Sequence, residues 1–198
     1  IKLQDMAPSR TNTSFNSADF TQYSCDFYEG ERGGNFTFQL LDMAGNPLAN
    51  KTIYIGYNGV TLNRTTDENG FANVQINLKN AGLYTFVIVF LGDEDYNATM
   101  SVYLITINKK SVTITAAAKT YKATAKTKKY TVTLKTIKGS SIDGKTYLAK
   151  GKKVSLKING KTYTAKTNAK GQATFSLKIT KKGKFTAKVS YAGDTTYK

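Results

Sequence analysis

The chain contains no His and no Trp, and its one cysteine is Cys25. Without imidazole there is no Ser-His-Asp or Cys-His machinery and no histidine ligand for a metal. Cys25 has no second cysteine to pair with and no histidine to raise its thiolate fraction, so we expect no catalytic residue. Oxygen donors concentrate at Asp93, Glu94, Asp95 and Asn97. Their spacing matches no EF-hand loop, and they read as turn residues. We expect no metal and no cofactor.

Charge is the second source of chemistry. Residues 1–108 hold six Lys and Arg against eleven acids, a net −5, whereas residues 109–198 hold 23 Lys against Asp143 and Asp194, a net +21. Lys135, Lys157, Lys178, Lys184 and Lys188 fall at outward positions of a period-two alternation. They predict a basic surface that attracts an anionic cell-wall polymer or glycan, or the acidic half of another copy of the chain. The plain alternative is a solvated face that blocks sheet-to-sheet association. Specific nucleic-acid binding is not expected, because this half has no Arg for bidentate base contacts.

Two further patterns lie in the first half. Asn12, Asn35, Asn50, Asn63 and Asn97 each stand two residues before Ser or Thr, and are candidate glycosylation sites on an exported chain. Around Leu83–Leu91 and Ser101–Ile107 both faces of the alternation are apolar. Val87, Val89, Leu91, Val102 and Leu104 are therefore a candidate interface, since large apolar side chains on an outer face mark contact surfaces.

The elements that must hold these groups are strands. Tyr130, Val132 and Leu134 alternate with Thr131, Thr133 and Lys135, as do Val154, Leu156 and Ile158, then Phe175, Leu177 and Ile179, then Phe185, Ala187, Val189 and Tyr191. Asn58-Gly59, Asn159-Gly160, Asn69-Gly70, Lys170-Gly171 and Asp143-Gly144 separate them with turn residues. No apolar stretch is long enough for a membrane-spanning helix. At a shift of 101 residues, Ile53, Ile55, Asn58, Gly59, Gly70, Asp93 and Tyr96 fall on Val154, Leu156, Asn159, Gly160, Gly171, Asp194 and Tyr197. Upstream the shift becomes 94, with Phe20 on Ile114, Phe27 on Tyr121, Phe36 on Tyr130 and Leu40 on Leu134, which places a seven-residue insertion near Ser140–Tyr147. The chain thus divides into an extension at 1–14, an acidic domain at 15–107 and a Lys-rich domain at 108–198.

The Gly45–Thr52 turn, Asn58-Gly59-Val60, Thr65–Ala72, Gly82–Thr85 and Gly92-Asp93 before Tyr96 resemble the immunoglobulin-like repeats of large adhesin-like surface proteins of methanogenic archaea, related to bacterial Ig-like repeats. The resemblance implies an all-β fold of two tandem Greek-key sandwiches. It also implies a non-catalytic stalk or adhesion role at the cell surface, outside the cell. In the second copy the sequence stops short of a segment matching Ser101–Ile107, so its final strand is expected to be missing. A rival reading follows: a filament subunit in which that gap accepts a strand from another copy, with residues 1–14 as a candidate donor, and in which acidic and basic halves attract head to tail.

Overall fold

A computed structural model describes residues 9–26 and 30–198, and all the regular elements among them are β-strands. They form two compact units: residues 1–22 with 32–108, and residues 23–31 with 109–198. Phe27, which the sequence set on Tyr121, lies outside the described residues.

The first unit contains β1 (Thr13–Asn16), β2 (Phe20–Tyr23), β3 (Asn35–Asp42), β4 (Thr52–Tyr57), β5 (Val60–Thr65), β6 (Phe71–Gln75), β7 (Gly82–Phe90) and β8 (Thr99–Asn108). One sheet has the order β1-β3-β6 and the other β2-β8-β7-β4-β5. Non-consecutive neighbours of this kind make a Greek key. The inward residues of both sheets meet in one core built on Phe36, Phe38, Leu40, Ile53, Ile55, Phe86, Ile88 and Ile105. Phe36 and Phe86 face each other across the sheets with ring centroids 6.0 Å apart. A two-residue Asn58-Gly59 loop joins β4 to β5 with both φ values positive (47° and 74°), the twist that suits a tight hairpin.

The second unit contains β9 (Val112–Thr115), β10 (Lys128–Thr136), β11 (Lys153–Ile158), β12 (Lys161–Lys166), β13 (Gln172–Leu177) and β14 (Lys188–Ser190). Its sheets run β13-β10-β9 and β12-β11-β14 around Val132, Leu134, Val154, Leu156, Phe175 and Tyr197. Asn159-Gly160 repeats the positive-φ hairpin loop. Gly70 and its counterpart Gly171 are fixed by space as well as by φ: a Cβ would stand 2.7 Å from the Leu40 carbonyl oxygen in one unit and 2.5 Å from that of Leu134 in the other.

The repeat is visible in the register, with four differences from the sequence reading. Leu40 and Leu134 are equivalent, each accepting a backbone bond, from Leu48 and Ala149 respectively. The shift therefore grows from 94 to 101 inside one loop, where the insertion was expected. Thr13 and Ser14 belong to β1 rather than to an extension, because Phe15 packs edge-on against Phe38 at 5.9 Å and fixes the strand beside β3. Ile114 is the counterpart of Phe15, not of Phe20: Phe15 lies opposite Leu40 as Ile114 lies opposite Leu134. Phe20 instead begins β2, a strand beside β8 that has no counterpart among the described residues of the second unit.

Phe185, expected inside, is 37% exposed, and β14 has only three residues. The physical reason is visible in the first unit. There Gly82–Phe86 pair with β8 alone, while β4 pairs only with Val87–Phe90. Among the described residues no strand lies on the far side of β14, so the residues corresponding to Gly82–Phe86 have no ladder to join.

Candidate binding surfaces

The apolar residues expected as an interface are gathered on one face by the register of the first unit. Tyr54 lies opposite Val89, and Val89 opposite Met100, while Gly56 lies opposite Val87, and Val87 opposite Val102. These rows point away from the core, because Ile53, Ile55, Phe86 and Ile88 occupy the alternate positions. Leu91, Met100 and Val102 are 65%, 64% and 54% exposed, so the face is open rather than capped by loops. Val87 and Val89 are half-buried by their neighbours. Leu104 closes one end, its N–H donating to Asp19 Oδ1 at 2.8 Å. Tyr54 and Met100 were not read from the sequence, since only pairing shows that they share this face.

The same positions in the second unit are basic and polar. Ser155 lies opposite Ser190 and Lys157 opposite Lys188, with Lys153 opposite Lys166 on the neighbouring strand. All four lysines are exposed. Like charges directly across a ladder are destabilising, and salt or a bound anion relieves them. The five lysines chosen from the sequence divide between places. Lys157 and Lys188 share this face, and Lys135 belongs to the other sheet, on β10, with Lys178 just past the end of β13. Lys184 precedes β14, on the wall of a groove of about 850 Å³ with Lys181 and Lys182, over Tyr130, Leu177 and Phe185.

The five sequons differ in availability. Asn35 and Asn63 are exposed on β3 and β5, and their side chains make no hydrogen bond among the described residues. Asn50 is exposed in a turn at φ 56°. Asn97 has committed its nitrogen: Nδ2 donates to the Arg10 carbonyl at 3.2 Å and to Asn12 Oδ1 at 2.8 Å.

The acidic loop is a turn held from within. Asp93 Oδ1 accepts from the N–H groups of Asp95 and Tyr96, and Oδ2 from Lys51 Nζ at 2.5 Å, with that ammonium 4.7 Å from the Tyr96 ring centroid. Asp194 repeats this arrangement with Thr196, Tyr197 and Lys152, again at 2.5 Å, the ammonium lying 4.6 Å from the Tyr197 ring. The Lys51 hydrogen bond holds the Asp93 carboxyl below its ordinary value. Burial pushes Asp194 up, but Lys152 and the two N–H groups outweigh it and bring the carboxyl down to about 2. Among the described residues no group of three or more acids or thiols is placed to hold a metal ion. A signal for these clasps was present in the sequence, since Lys51 and Lys152 are also separated by 101 residues.

No sequence signal marked the buried cluster of the second unit. Glu31 pairs with Lys110 and both side chains are fully buried. Lys110 Nζ also stands 5.0 Å from the Tyr147 ring centroid, and Tyr197 donates its hydroxyl to Asp26. Ser24 Oγ donates to the Thr196 carbonyl at 2.7 Å, and the buried Cys25 thiol to the Glu31 carbonyl at 3.3 Å. Burial raises the Glu31 carboxyl, with Asp26 adding to that effect and Lys110 opposing it. Glu31 Oε1 has no hydrogen-bond partner among the described residues. Removed from solvent and enclosed by the cluster, Cys25 is placed for packing rather than for nucleophilic attack.

No protein-family model and no curated protein matches the chain. Solved structures do. The crystal structure of invasin, described as a bacterial integrin-binding protein, aligns with a TM-score of 0.54 at 16% identity, over 92% of this chain and 37% of that one. A tetra-tandem repeat from the extending region of a large adhesion protein aligns at 0.42 with 17% identity, covering 91% of this chain and 46% of that one. The D0-D1 domain of intimin gives 0.34 at 17% identity, with 90% of each chain covered. The likeness to invasin shows the fold: tandem Ig-like β-sandwiches. This chain spans little more than a third of the invasin chain it matches.

Proposed function

We propose that the chain is a non-catalytic adhesion module of an extracellular surface protein, one that holds anionic envelope polymer through the lysine face of its second unit. The observation that carries the reading is the pairing of Lys157 with Lys188 on the outer face of β11 and β14, flanked by the Lys153–Lys166 pair. Apposed ammonium groups cost stability in an empty sheet, and a polyanion turns that cost into attraction. The shared fold with invasin supports a role in surface attachment, and a resemblance to archaeal adhesin-like repeats supports a stalk exported to the cell wall. Among the described residues no helix is long and apolar enough to cross a membrane. A head-to-tail filament draws no support from the structures this chain resembles and is set aside.

The test is retention of the intact chain on immobilised poly(glycerol phosphate) against uncharged dextran over a range of salt. Binding to the polyanion that weakens steeply as salt rises, with none to dextran, supports the reading. Equal retention on both supports, or binding indifferent to salt, overturns it.

A further inference from the structure

The open apolar face of the first unit ends, on its β5 side, in a glycosylation sequon. Asn63 lies directly opposite Tyr54 in the β4–β5 pairing, and Tyr54 leads on to Val89 and Met100. One row therefore runs across four strands from a modifiable amide to an exposed thioether, about 14 Å at the usual strand spacing of 4.7–4.9 Å. In the next row Gly56 leaves a hollow between Tyr54 and Val87, with Thr61 on the far side. No charged side chain takes an outward position on β4, β5, β7 or β8; the rim is threonine. A flat apolar floor with an aromatic ring at its entrance and hydroxyls around it suits the apolar faces and hydroxyl edges of sugar rings.

We infer that Asn63 is a site of N-linked glycosylation and that its glycan lies over Tyr54, Val87, Val89 and Met100. Three observations point to Asn63. Asn97 has its amide nitrogen in two hydrogen bonds. Asn35 is accessible but stands on the opposite sheet, between Thr37 and Gln75 rather than beside an apolar face. In the second unit the counterpart of Asn63 is Thr164, which forms no sequon, and there the counterparts of Gly56, Val87 and Val89 are Lys157, Lys188 and Ser190. The unit whose face is apolar carries the attachment point, and the unit whose face is charged does not.

This inference rests on the chain being exported, and the experiment holds that condition fixed. The full chain is secreted from a host whose oligosaccharyltransferase modifies Asn-X-Ser/Thr, sites are mapped by peptide mass spectrometry, and the apolar face is read by the fluorescence of a hydrophobic dye. Asn63 should be occupied. Loss of its glycan, through Asn63→Gln or through Thr65→Ala, which keeps the asparagine, should raise dye fluorescence several-fold while Asn35→Gln leaves it unchanged. Three results would each overturn the inference: Asn63 unmodified in the secreted chain, the same dye signal with and without its glycan, or a glycosylated chain that dimerises through this face and so gives it a second copy as occupant.

Discussion

Lys110 and Glu31 show what a buried ion pair does in a small sandwich. Neither side chain touches solvent, and the carboxyl retains an oxygen without a partner. Such a pair adds little net stability over a matched apolar pair, but losing one partner strands a charge, at a cost of about 3 to 5 kcal/mol. Glu31→Gln should therefore lower the unfolding free energy of the second unit by that amount, read as a lower urea midpoint, and leave the first unit's transition in place. Glu31→Met with Lys110→Met should recover most of the loss. A Glu31→Gln chain as stable as the parent would show that the pair is not held in the interior. Asp194 makes a separate prediction about acid. Its folded value of about 2 lies below the ordinary 3.8, so its stabilisation is complete above 3.8 and disappears as pH falls through about 2. The denaturation midpoint of the second unit should decline across that window. Asp194→Asn should begin lower and decline less; an unchanged slope would remove the Lys152 clasp from the account.

The strands differ in how clearly the sequence announces them. β4 with β5 and β11 with β12 meet at Asn-Gly, and both the turn chemistry and the 101-residue repeat point to one solution. β1 is four residues long and contributes one aromatic side chain, Phe15, to the core, too little pattern to separate it from a tail. β14 is short for the opposite reason: its alternation is clear, but pairing rather than pattern sets the length of a strand. The segment from Tyr23 to Glu31 was hardest to read, because its partners, Lys110, Thr196 and Tyr197, lie more than 70 residues away and share no period with it. The first unit is thus interrupted by a stretch that completes the second. It follows that residues 109–198 expressed alone, lacking Glu31 for Lys110 and Asp26 for Tyr197, should unfold at lower urea than the same strands in the intact chain. Amide exchange in β9 and β10 should be correspondingly faster. Equal midpoints would make the segment a passive cover.

Across the whole molecule the two sandwiches share a fold and differ in surface. Matching positions are Gly56 and Lys157, Val87 and Lys188, Val89 and Ser190. Their cores show the same inward pattern, so the difference lies in what each face meets rather than in how each unit folds. The charge imbalance between the halves was plain from composition. Which lysines act together was not, because alternation assigns a side to each strand but does not say which strands are neighbours. The register does: it joins Lys157 to Lys188 and leaves Lys135 and Lys178 elsewhere. Charges further apart than a Debye length, about 8 Å at physiological salt, act nearly independently. A polymer strand lying along β11 and β14 should therefore sense the first pair far more than the second. The most direct measurement compares two variants of equal net charge, Lys157→Gln with Lys188→Gln and Lys135→Gln with Lys178→Gln, in titrations with poly(glycerol phosphate). At about 1 kcal/mol for each lysine at an anionic surface, the first variant should bind roughly 30-fold more weakly than the parent. The second should stay within a few-fold of it. Equal losses from both variants would mean that the polymer responds only to net charge, and would contradict a binding face on the second unit.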